Sequence, residues 1–175
     1  AVSDYTRDEI VLAAEAVDRH CGTRFAPDFR DRLTVSYPPI DASAYVEVDV
    51  AATDAALARR GLERDGYVLF LSRVTRAKGV HDLIEAYATS RARDRVKLVI
   101  AGNGPALSEV RALAAALPEL ADRVVFLTDV DDDEKPLLMR GCATYALPTK
   151  PESDFVETFG IALAEKLLTG GGPVI

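Results

Sequence analysis

The chain from about residue 41 onward alternates continuous apolar runs with amphipathic segments. The apolar runs are YVLFLS, VKLVIAG, RVVFLTD, ATYALP and GPVI. Helical spacing of apolar residues follows each of the first four, in VHDLIEAYATS, PALSEVRALAAAL, DEKPLLMRGC and the segment from Phe159 to Leu168. Strands that are apolar on both faces and alternate with such helices are typical of parallel sheets covered on both sides. The pattern therefore predicts an α/β fold with a Rossmann-like, doubly wound parallel sheet.

The first forty residues follow a different pattern. Apolar residues recur at helical spacing between Thr6 and His20, and Thr6 is the predicted N-cap. LTVSY predicts a short strand, which Pro38 and Pro39 end because proline cannot donate to a β-ladder. Residues 38–54 show no clear period and indicate a connector.

Composition narrows the class of function. The 175 residues are 49% hydrophobic and 28% charged, which is ordinary for a globular protein. A net charge of −7 disfavours a nucleic-acid binder, which needs a basic face. Cys21 and Cys142 are too few for a disulfide framework or a zinc site, so we interpret both as buried, reduced thiols. Without a spanning apolar run or a signal peptide, the sequence predicts a cytoplasmic protein.

Ligands of such sheets bind at the carboxyl ends of the strands. The loops at those ends are SRVTRAKG, GNGP, TDVDDDE and PTKPESDFVETFG. The first contains Arg73, Arg76 and Lys78. A guanidinium can hold two phosphate oxygens at once, and an ammonium adds a mobile point charge. These cations fit a phosphate site or a solvated basic loop equally well.

The GNGP loop allows two interpretations. Gly102 and Gly104 let the backbone approach a ligand, or they form a tight strand-to-helix turn without one. A dinucleotide-binding fingerprint would place a third glycine at position 107, where Leu107 stands. Asp129 could still act as the ribose-binding acid. A Rossmann-type, dinucleotide-dependent oxidoreductase is therefore an alternative.

The acidic loop DVDDDE has Asp-x-Asp spacings that could hold a divalent ion. Acidic residues before a helix more often cap it, and we favour that interpretation. His20 and His81 lack sequence neighbours that indicate a catalytic base. We interpret both as surface or capping residues.

Two glutamates accompany the last predicted helix: Glu157 lies at its N-terminal approach, and Glu165 lies about two turns inside it. At 1.5 Å per residue they would lie roughly 12 Å apart along the axis, comparable with a nucleotide sugar from hexose to ribose. Backbone N–H groups near Phe159 and Gly160 would form an anion site between them. The alternative is an amphipathic helix with two ordinary surface glutamates.

Taken in order, these motifs resemble the donor-binding domain of the retaining GT-B glycosyltransferases of family 4. The resemblance rests on SRVTRAKGVHDLIEA, LVIAGNGP, RVVFLTDV, the E-TFGIALAE pattern and GGGPVI. It implies that residues 41–175 form the nucleotide-sugar donor-binding domain, one half of a GT-B glycosyltransferase, truncated at its C-terminal end. Residues 1–40 are similar to the last helix and strand of the N-terminal acceptor domain and to the linker out of it.

The resemblance also implies residue roles. Arg73 and Lys78 match the pair that holds the donor diphosphate, Glu157 matches the glutamate facing the transferred hexose, and Glu165 matches the one facing the ribose. The other matches line the donor site: Gly102 and Gly104 in its turn, Val130 at the base, and Phe159, Gly160 and Ile161 where the backbone approaches sugar and phosphate.

The implied reaction is hexose transfer from a nucleoside-diphosphate sugar, with UDP or GDP favoured, to an acceptor hydroxyl with retention of anomeric configuration. Neither a metal nor another cofactor is implied. The acceptor would be a small molecule, a lipid or a glycan, with no nucleic acid, and membrane contact would come only through the N-terminal domain. A non-catalytic sugar-nucleotide-binding module is a second alternative.

The sequence departs from the family pattern at Lys166, at residues 170–172 and at PESDF before Glu157. Most of the acceptor domain and the end of the donor domain have no counterpart in this chain. We therefore expect the enzyme to act when full length, and a chain of this length to bind donor weakly without turning over.

Overall fold

The computed structural model describes residues 1–152 and 155–175. Contacts between Cα atoms divide the chain into two compact units. The smaller unit consists of Ala1–Ile40 with Glu157–Ile161, and the larger consists of Asp41–Val156 with Ala162–Ile175. Among the helices of the described residues, none is both long and apolar enough to cross a membrane.

Eight helices lie within the described ranges. They are α1 (Asp4–Cys21), α2 (Phe25–Arg32), α3 (Ser43–Val46), α4 (Val50–Arg59), α5 (Val80–Thr89), α6 (Leu107–Ala115), α7 (Glu134–Gly141) and α8 (Ile161–Thr169). Helices α5 to α8 were predicted from periodicity, and each end lies within two residues of its prediction. Short 3-10 turns occur at Arg76–Lys78, Arg91–Asp94 and Pro118–Leu120.

A four-stranded parallel sheet forms the core of the larger unit. Its strands are β1 (Tyr67–Leu71), β2 (Lys97–Ala101), β3 (Val124–Leu127) and β4 (Thr144–Tyr145). The order across the sheet is β3-β2-β1-β4, and every pairing is parallel. The central strands β1 and β2 are almost wholly buried, as continuous apolar runs require. The predicted doubly wound parallel sheet is confirmed.

The predicted fifth strand is present as a bridge beside β4. Val174 pairs with Tyr145 in parallel. The Tyr145 N–H donates to the Pro173 carbonyl, and the Ile175 N–H donates to the Tyr145 carbonyl, both at 2.9 Å. Strands β2 and β3 therefore lie on one side of β1, and β4 with this bridge lies on the other. Such a reversal of strand order is a topological switch point, where open α/β sheets bind ligands.

The interpretation of residues 38–54 as a connector was wrong in part, because α3 and the start of α4 lie within them. Asp49 caps α4, and its Oδ1 accepts a hydrogen bond from the Ala52 N–H at 2.6 Å. Thr53, Ala56 and Leu57 form the buried face of α4. This face is built mostly from small residues, so the apolar period is weak.

The smaller unit corrects two predictions. The N-cap of α1 is Ser3 and not Thr6, because the Ser3 Oγ accepts from the Thr6 N–H at 3.1 Å. The predicted strand LTVSY is absent from the described structure. Its backbone instead bonds to Ala1, through the Thr34 carbonyl and the Ser36 N–H, both at 2.8 Å. Since both bonds reach a single residue, no ladder forms.

Candidate functional site at the sheet switch point

The loop after β1 provides two cations at the switch point. Arg73 is exposed, and its guanidinium has no hydrogen-bond or ion-pair partner within the described ranges. Lys78 ends a 3-10 turn, and its Nζ lies 5.0 Å from the centroid of the Phe155 ring, which is a cation–π contact. Arg76 instead bonds to Glu109 on α6. Arg73 and Lys78 are the candidates for holding an anion because both follow the carboxyl end of β1.

The glycines of GNGP bring the loops after β1 and β2 into backbone contact. A Cβ added to Gly104 would lie 2.2 Å from the Val74 carbonyl oxygen, and one added to Gly102 would lie 2.1 Å from that of Ser72. The Val74 N–H donates to the Asn103 carbonyl at 2.8 Å. Both glycines are therefore required by the neighbouring loop, a reason that the sequence pattern alone does not reveal. Their contact with a ligand stays a prediction.

The loop after β4 contacts the loop after β1 at the switch point. Gly79 has φ +69°, and a Cβ there would lie 1.9 Å from the Pro148 carbonyl oxygen. The Lys150 N–H donates to the Ala77 carbonyl at 3.1 Å, and the Lys150 ammonium pairs with Asp82 on α5. Of the unusual PESDF stretch in this loop, positions 153 and 154 lie outside the described residues.

The acidic loop after β3 is held by hydrogen bonds. Arg60 donates to the Asp129 carboxylate at 3.0 Å and to the Glu134 carboxylate at 2.7 and 2.8 Å. The bond from Arg60 is the main reason why the pKa of Asp129 is lowered. Asp131 accepts from the Glu134 N–H at 2.8 Å, which confirms the capping interpretation for this residue. Val130 lies between these anchors and is half-buried.

This loop does not form a metal centre in the structure. Asp132 pairs with Lys135 at 2.5 Å, so its carboxylate is also engaged. Within residues 1–152 and 155–175, no three His, Cys, Asp or Glu side chains are grouped as metal ligands. Asp129, considered as a ribose-binding acid, is committed to Arg60 instead.

The residues before α8 belong to the smaller unit. Glu157 is half-buried, and the Phe159 ring stacks on Tyr37 with centroids 5.7 Å apart. Gly160 has φ +75°, which favours glycine. Because α8 begins at Ile161 and not at Phe159, the free N–H groups of its first turn begin at Ile161.

Glu165 is therefore one turn inside α8 and not two. The 12 Å separation from Glu157 assumed helical rise over all eight positions, and residues 157–160 are not helical, so that estimate loses its basis. Tyr45, a buried residue of α3, lies near the Glu165 carboxylate. Burial, together with the negative charge of Glu165, raises the pKa of Tyr45 to about 12. Tyr45 lies in the segment interpreted as a connector, so no pattern in the sequence indicated it.

The departures from the family pattern near the end of the chain are structurally connected. Lys166 is only 1% exposed, and its Nζ donates to the Gly170 carbonyl at 2.5 Å. Burial lowers the pKa of Lys166. Gly170 and Gly171 have φ of +65° and +82°, and a Cβ on Gly172 would lie 2.0 Å from the Ala143 carbonyl oxygen. The lysine and the glycines thus form one turn at the end of α8.

Two smaller expectations are corrected by the structure. His81 is half-buried, with its Nε2 3.5 Å from Glu109 Oε2, and is not a surface residue, whereas His20 is exposed in the last turn of α1. Cys142 is buried as expected, but Cys21 is exposed.

Residues 55–175 match the model of the family described as glycosyl transferases group 1. The chain belongs to this family. It is 33% identical over 164 residues to the GDP-mannose-dependent alpha-(1-6)-phosphatidylinositol monomannoside mannosyltransferase of Mycobacterium tuberculosis. The alignment covers 91% of this chain and 42% of that protein, so this group 1 chain spans less than half the relative's length.

Other relatives agree with this assignment. Alpha-monoglucosyldiacylglycerol synthase of Streptococcus pneumoniae is 31% identical over 62% of this chain and 23% of its own length. Among solved structures, Anabaena HepE in complex with UDP and glucose superposes with a TM-score of 0.76 at 24% identity, covering 99% of this chain and 42% of that one. WaaG, a glycosyltransferase involved in lipopolysaccharide biosynthesis, gives 0.66 at 22% identity over 85% and 40%. These likenesses establish the GT-B type of fold.

Proposed function

We propose that the full-length protein transfers a hexose from a nucleoside-diphosphate sugar to an acceptor hydroxyl with retention of anomeric configuration. The observation that carries the proposal is the position of Arg73 and Lys78, which follow β1 at the switch point of a group 1 glycosyltransferase fold. GDP is the favoured nucleotide and UDP the second, since the mycobacterial relative is named as GDP-mannose-dependent. The acceptor class is a lipid, a glycan or a small molecule.

The proposed chemistry is electrostatic. As the bond between the anomeric carbon and the diphosphate breaks, negative charge develops on the leaving group. Arg73 and Lys78 stabilise that charge, and the first N–H groups of α8 add to it. The Phe155 ring against Lys78 Nζ restricts where the ammonium lies. In this proposal Glu157 accepts a hydrogen bond from a hexose hydroxyl and Glu165 from the ribose.

No metal ion or other cofactor has a role in the proposed reaction. The donor chemistry of the acidic loop supports this part, because Asp129, Asp131 and Asp132 already bond to an arginine, a backbone N–H and a lysine. The expected result is that EDTA leaves turnover unchanged. Loss of turnover on chelation, with recovery on adding Mg²⁺ or Mn²⁺, would contradict it.

The test is an assay of the full-length protein with GDP-, UDP-, ADP- and dTDP-hexoses, followed by NMR assignment of the product's anomeric configuration. We expect transfer from at least one donor, with retention. Lys78→Ala should lower turnover by about 10²- to 10³-fold, the range for loss of one group that stabilises developing charge. Glu157→Ala should lower it by about 10- to 10²-fold, because the variant loses a charged acceptor of the hexose hydroxyl. Lys97→Ala is the matched control, because Lys97 is the first residue of β2 and lies at the amino ends of the strands, away from the candidate site at their carboxyl ends. NAD(H) binding without any sugar-nucleotide binding would favour the oxidoreductase alternative, and donor binding without transfer would favour the non-catalytic module.

A further inference from the structure

Arg60 joins the two ends of the loop that follows β3, which comprises residues 128–134 and is called the β3 loop below. At one end its NH1 group donates to both carboxylate oxygens of Asp129 at 3.0 Å. At the other end its Nε and NH2 groups donate to Glu134 at 2.8 and 2.7 Å. Glu134 is 9% exposed, so this second contact is a nearly buried bidentate ion pair.

Two further hydrogen bonds hold the β3 loop. Asn103 in the neighbouring loop donates from Nδ2 to the Thr128 carbonyl at 2.7 Å. Asp131 accepts from the Glu134 N–H at 2.8 Å. Arg60 connects both ends of the loop, because its guanidinium pairs with Asp129 and with Glu134. The backbone around Val130 is thereby held between two charged anchors.

The distance between the β3 loop and the loop of Arg73 and Lys78 suits a bound nucleoside diphosphate. Strand β3 is separated from β1 by β2 alone. At about 4.8 Å per strand, the carboxyl ends of β1 and β3 are roughly 10 Å apart. That span is comparable with the length of a nucleotide from diphosphate to base. A diphosphate held after β1 can therefore place its base at the β3 loop.

We propose that Arg60 is a positioning residue for the nucleoside half of the donor. It acts through the β3 loop, by holding the backbone at Val130 where the base is received, and it does not itself touch the ligand. This inference rests on the proposed function, since it requires a nucleoside diphosphate in the site. It predicts that the two halves of the ligand depend on different residues.

The experiment compares GDP, UDP and inorganic pyrophosphate binding by calorimetry in the full-length protein. In Arg60→Gln we expect the dissociation constant of the preferred nucleoside diphosphate to rise by about tenfold, in the range for loss of a residue that orients a ligand-binding group. The dissociation constant for pyrophosphate should stay unchanged, because Arg73 and Lys78 are intact. A residue that only stabilises the fold would weaken both ligands alike.

Arg64→Gln is the matched control. Arg64 also makes a bidentate pair with an aspartate, Asp54, at 3.0 and 2.5 Å, but this pair does not involve the β3 loop. Both dissociation constants should be unchanged in this variant. If Arg60→Gln fails to fold, Asp129→Asn decides the matter, since the Asp129 side chain is 70% exposed. In Asp129→Asn the dissociation constant of the nucleoside diphosphate should rise by about two- to threefold or more, and that of pyrophosphate should stay unchanged.

An unchanged affinity for the nucleoside diphosphate in folded Arg60→Gln or Asp129→Asn would overturn the positioning role. Equal weakening of pyrophosphate would do the same. These failures differ from failure of the proposed function, in which the unmodified protein would bind no nucleoside diphosphate at all and both proposals would fall together.

Discussion

Replacing Lys166 tests whether an unusual buried lysine secures the end of α8. The side chain is 1% exposed, and its ammonium donates to the Gly170 carbonyl at 2.5 Å. Lys166→Ala removes the three outer methylene groups together with the ammonium. Lys166→Met removes the charge but keeps most of the volume. The pair of variants therefore separates packing from charge.

The expected magnitudes follow from burial. Loss of three buried methylene groups at about 0.8 kcal/mol each amounts to roughly 2.4 kcal/mol. The lost hydrogen bond from a charged donor, about 1.5 to 3 kcal/mol, is offset in part because the ammonium no longer has to be desolvated. The Gly170 carbonyl also keeps a bond from Thr169 Oγ1 at 3.2 Å. We therefore expect Lys166→Ala to lose about 2 to 4 kcal/mol and Lys166→Met to stay within about 1.5 kcal/mol of the unmodified protein.

The assay is urea unfolding followed by circular dichroism, with Leu167→Ala as control because Leu167 is 72% exposed on the same helix. It should change the free energy of unfolding by less than about 0.5 kcal/mol. The lowered pKa of Lys166 adds a pH signature. At pH values between the native pKa of Lys166 and about 10.4, the unfolded chain binds more protons than the folded chain. The free energy of unfolding of the unmodified protein should therefore rise with pH in this range, relative to that of Lys166→Met.

Two results would refute this account of Lys166. If Lys166→Ala were as stable as the Leu167→Ala control, the side chain would not be packed as described. If Lys166→Met lost as much as Lys166→Ala, the ammonium and not the methylene chain would stabilise the turn.

Three other predictions concern stability and reactivity. Gly104→Ala should lower the free energy of unfolding in urea by more than about 2 kcal/mol, because the added Cβ would overlap a backbone carbonyl. Gly61→Ala should lower it by only about 1 kcal/mol, because Gly61 has a left-handed φ but open space around an added Cβ. Equal losses in the two variants would contradict this prediction. Iodoacetamide should label exposed Cys21 in the native protein and Cys142, whose pKa burial raises to about 11, only after unfolding, as peptide mass spectrometry would show. Asp129→Asn should be less stable than the unmodified protein at pH 7, with the gap closing as the pH falls from about 4 through the lowered native pKa of the carboxyl; a gap that persists at low pH would contradict the ion pair.

The central strands could be predicted because they are almost wholly buried, and α5 to α8 because their apolar residues recur at helical spacing. Strands β1 and β2 lie between layers and need apolar residues at every position, which gives an unmistakable run. Helix α4 was missed because alanines occur on both its buried and its exposed faces, as at Ala56 and Ala55. LTVSY has strand propensity, but propensity without a partner strand does not form a ladder.

The candidate site, like the fold, could be predicted from the sequence only in part. The placement of Arg73 and Lys78 after β1 could be predicted, because the carboxyl end of a strand is a position that sequence order defines, whereas their role stays a prediction. The contact between Arg60 and Asp129 joins residues 69 positions apart, and no local pattern announces it. The same holds for Tyr45 beside Glu165 and for Phe155 beside Lys78. Contacts of this kind, between residues far apart in the sequence, can be recognised only in the folded chain.

The departures from the family pattern around α8 are one structural change and not several. A buried lysine at position 166 needs an acceptor, and the left-handed turn at Gly170 and Gly171 supplies the Gly170 carbonyl. An alanine at 166 would leave the buried space of the lysine stem unfilled, and a buried ammonium without the Gly170 carbonyl would lack its acceptor, so the lysine and the glycines depend on each other. Glu165, the neighbour of this anchor, lies close enough to Tyr45 for its negative charge to raise the pKa of the phenol. The helix is therefore anchored directly beside Glu165, the residue proposed to contact the ribose.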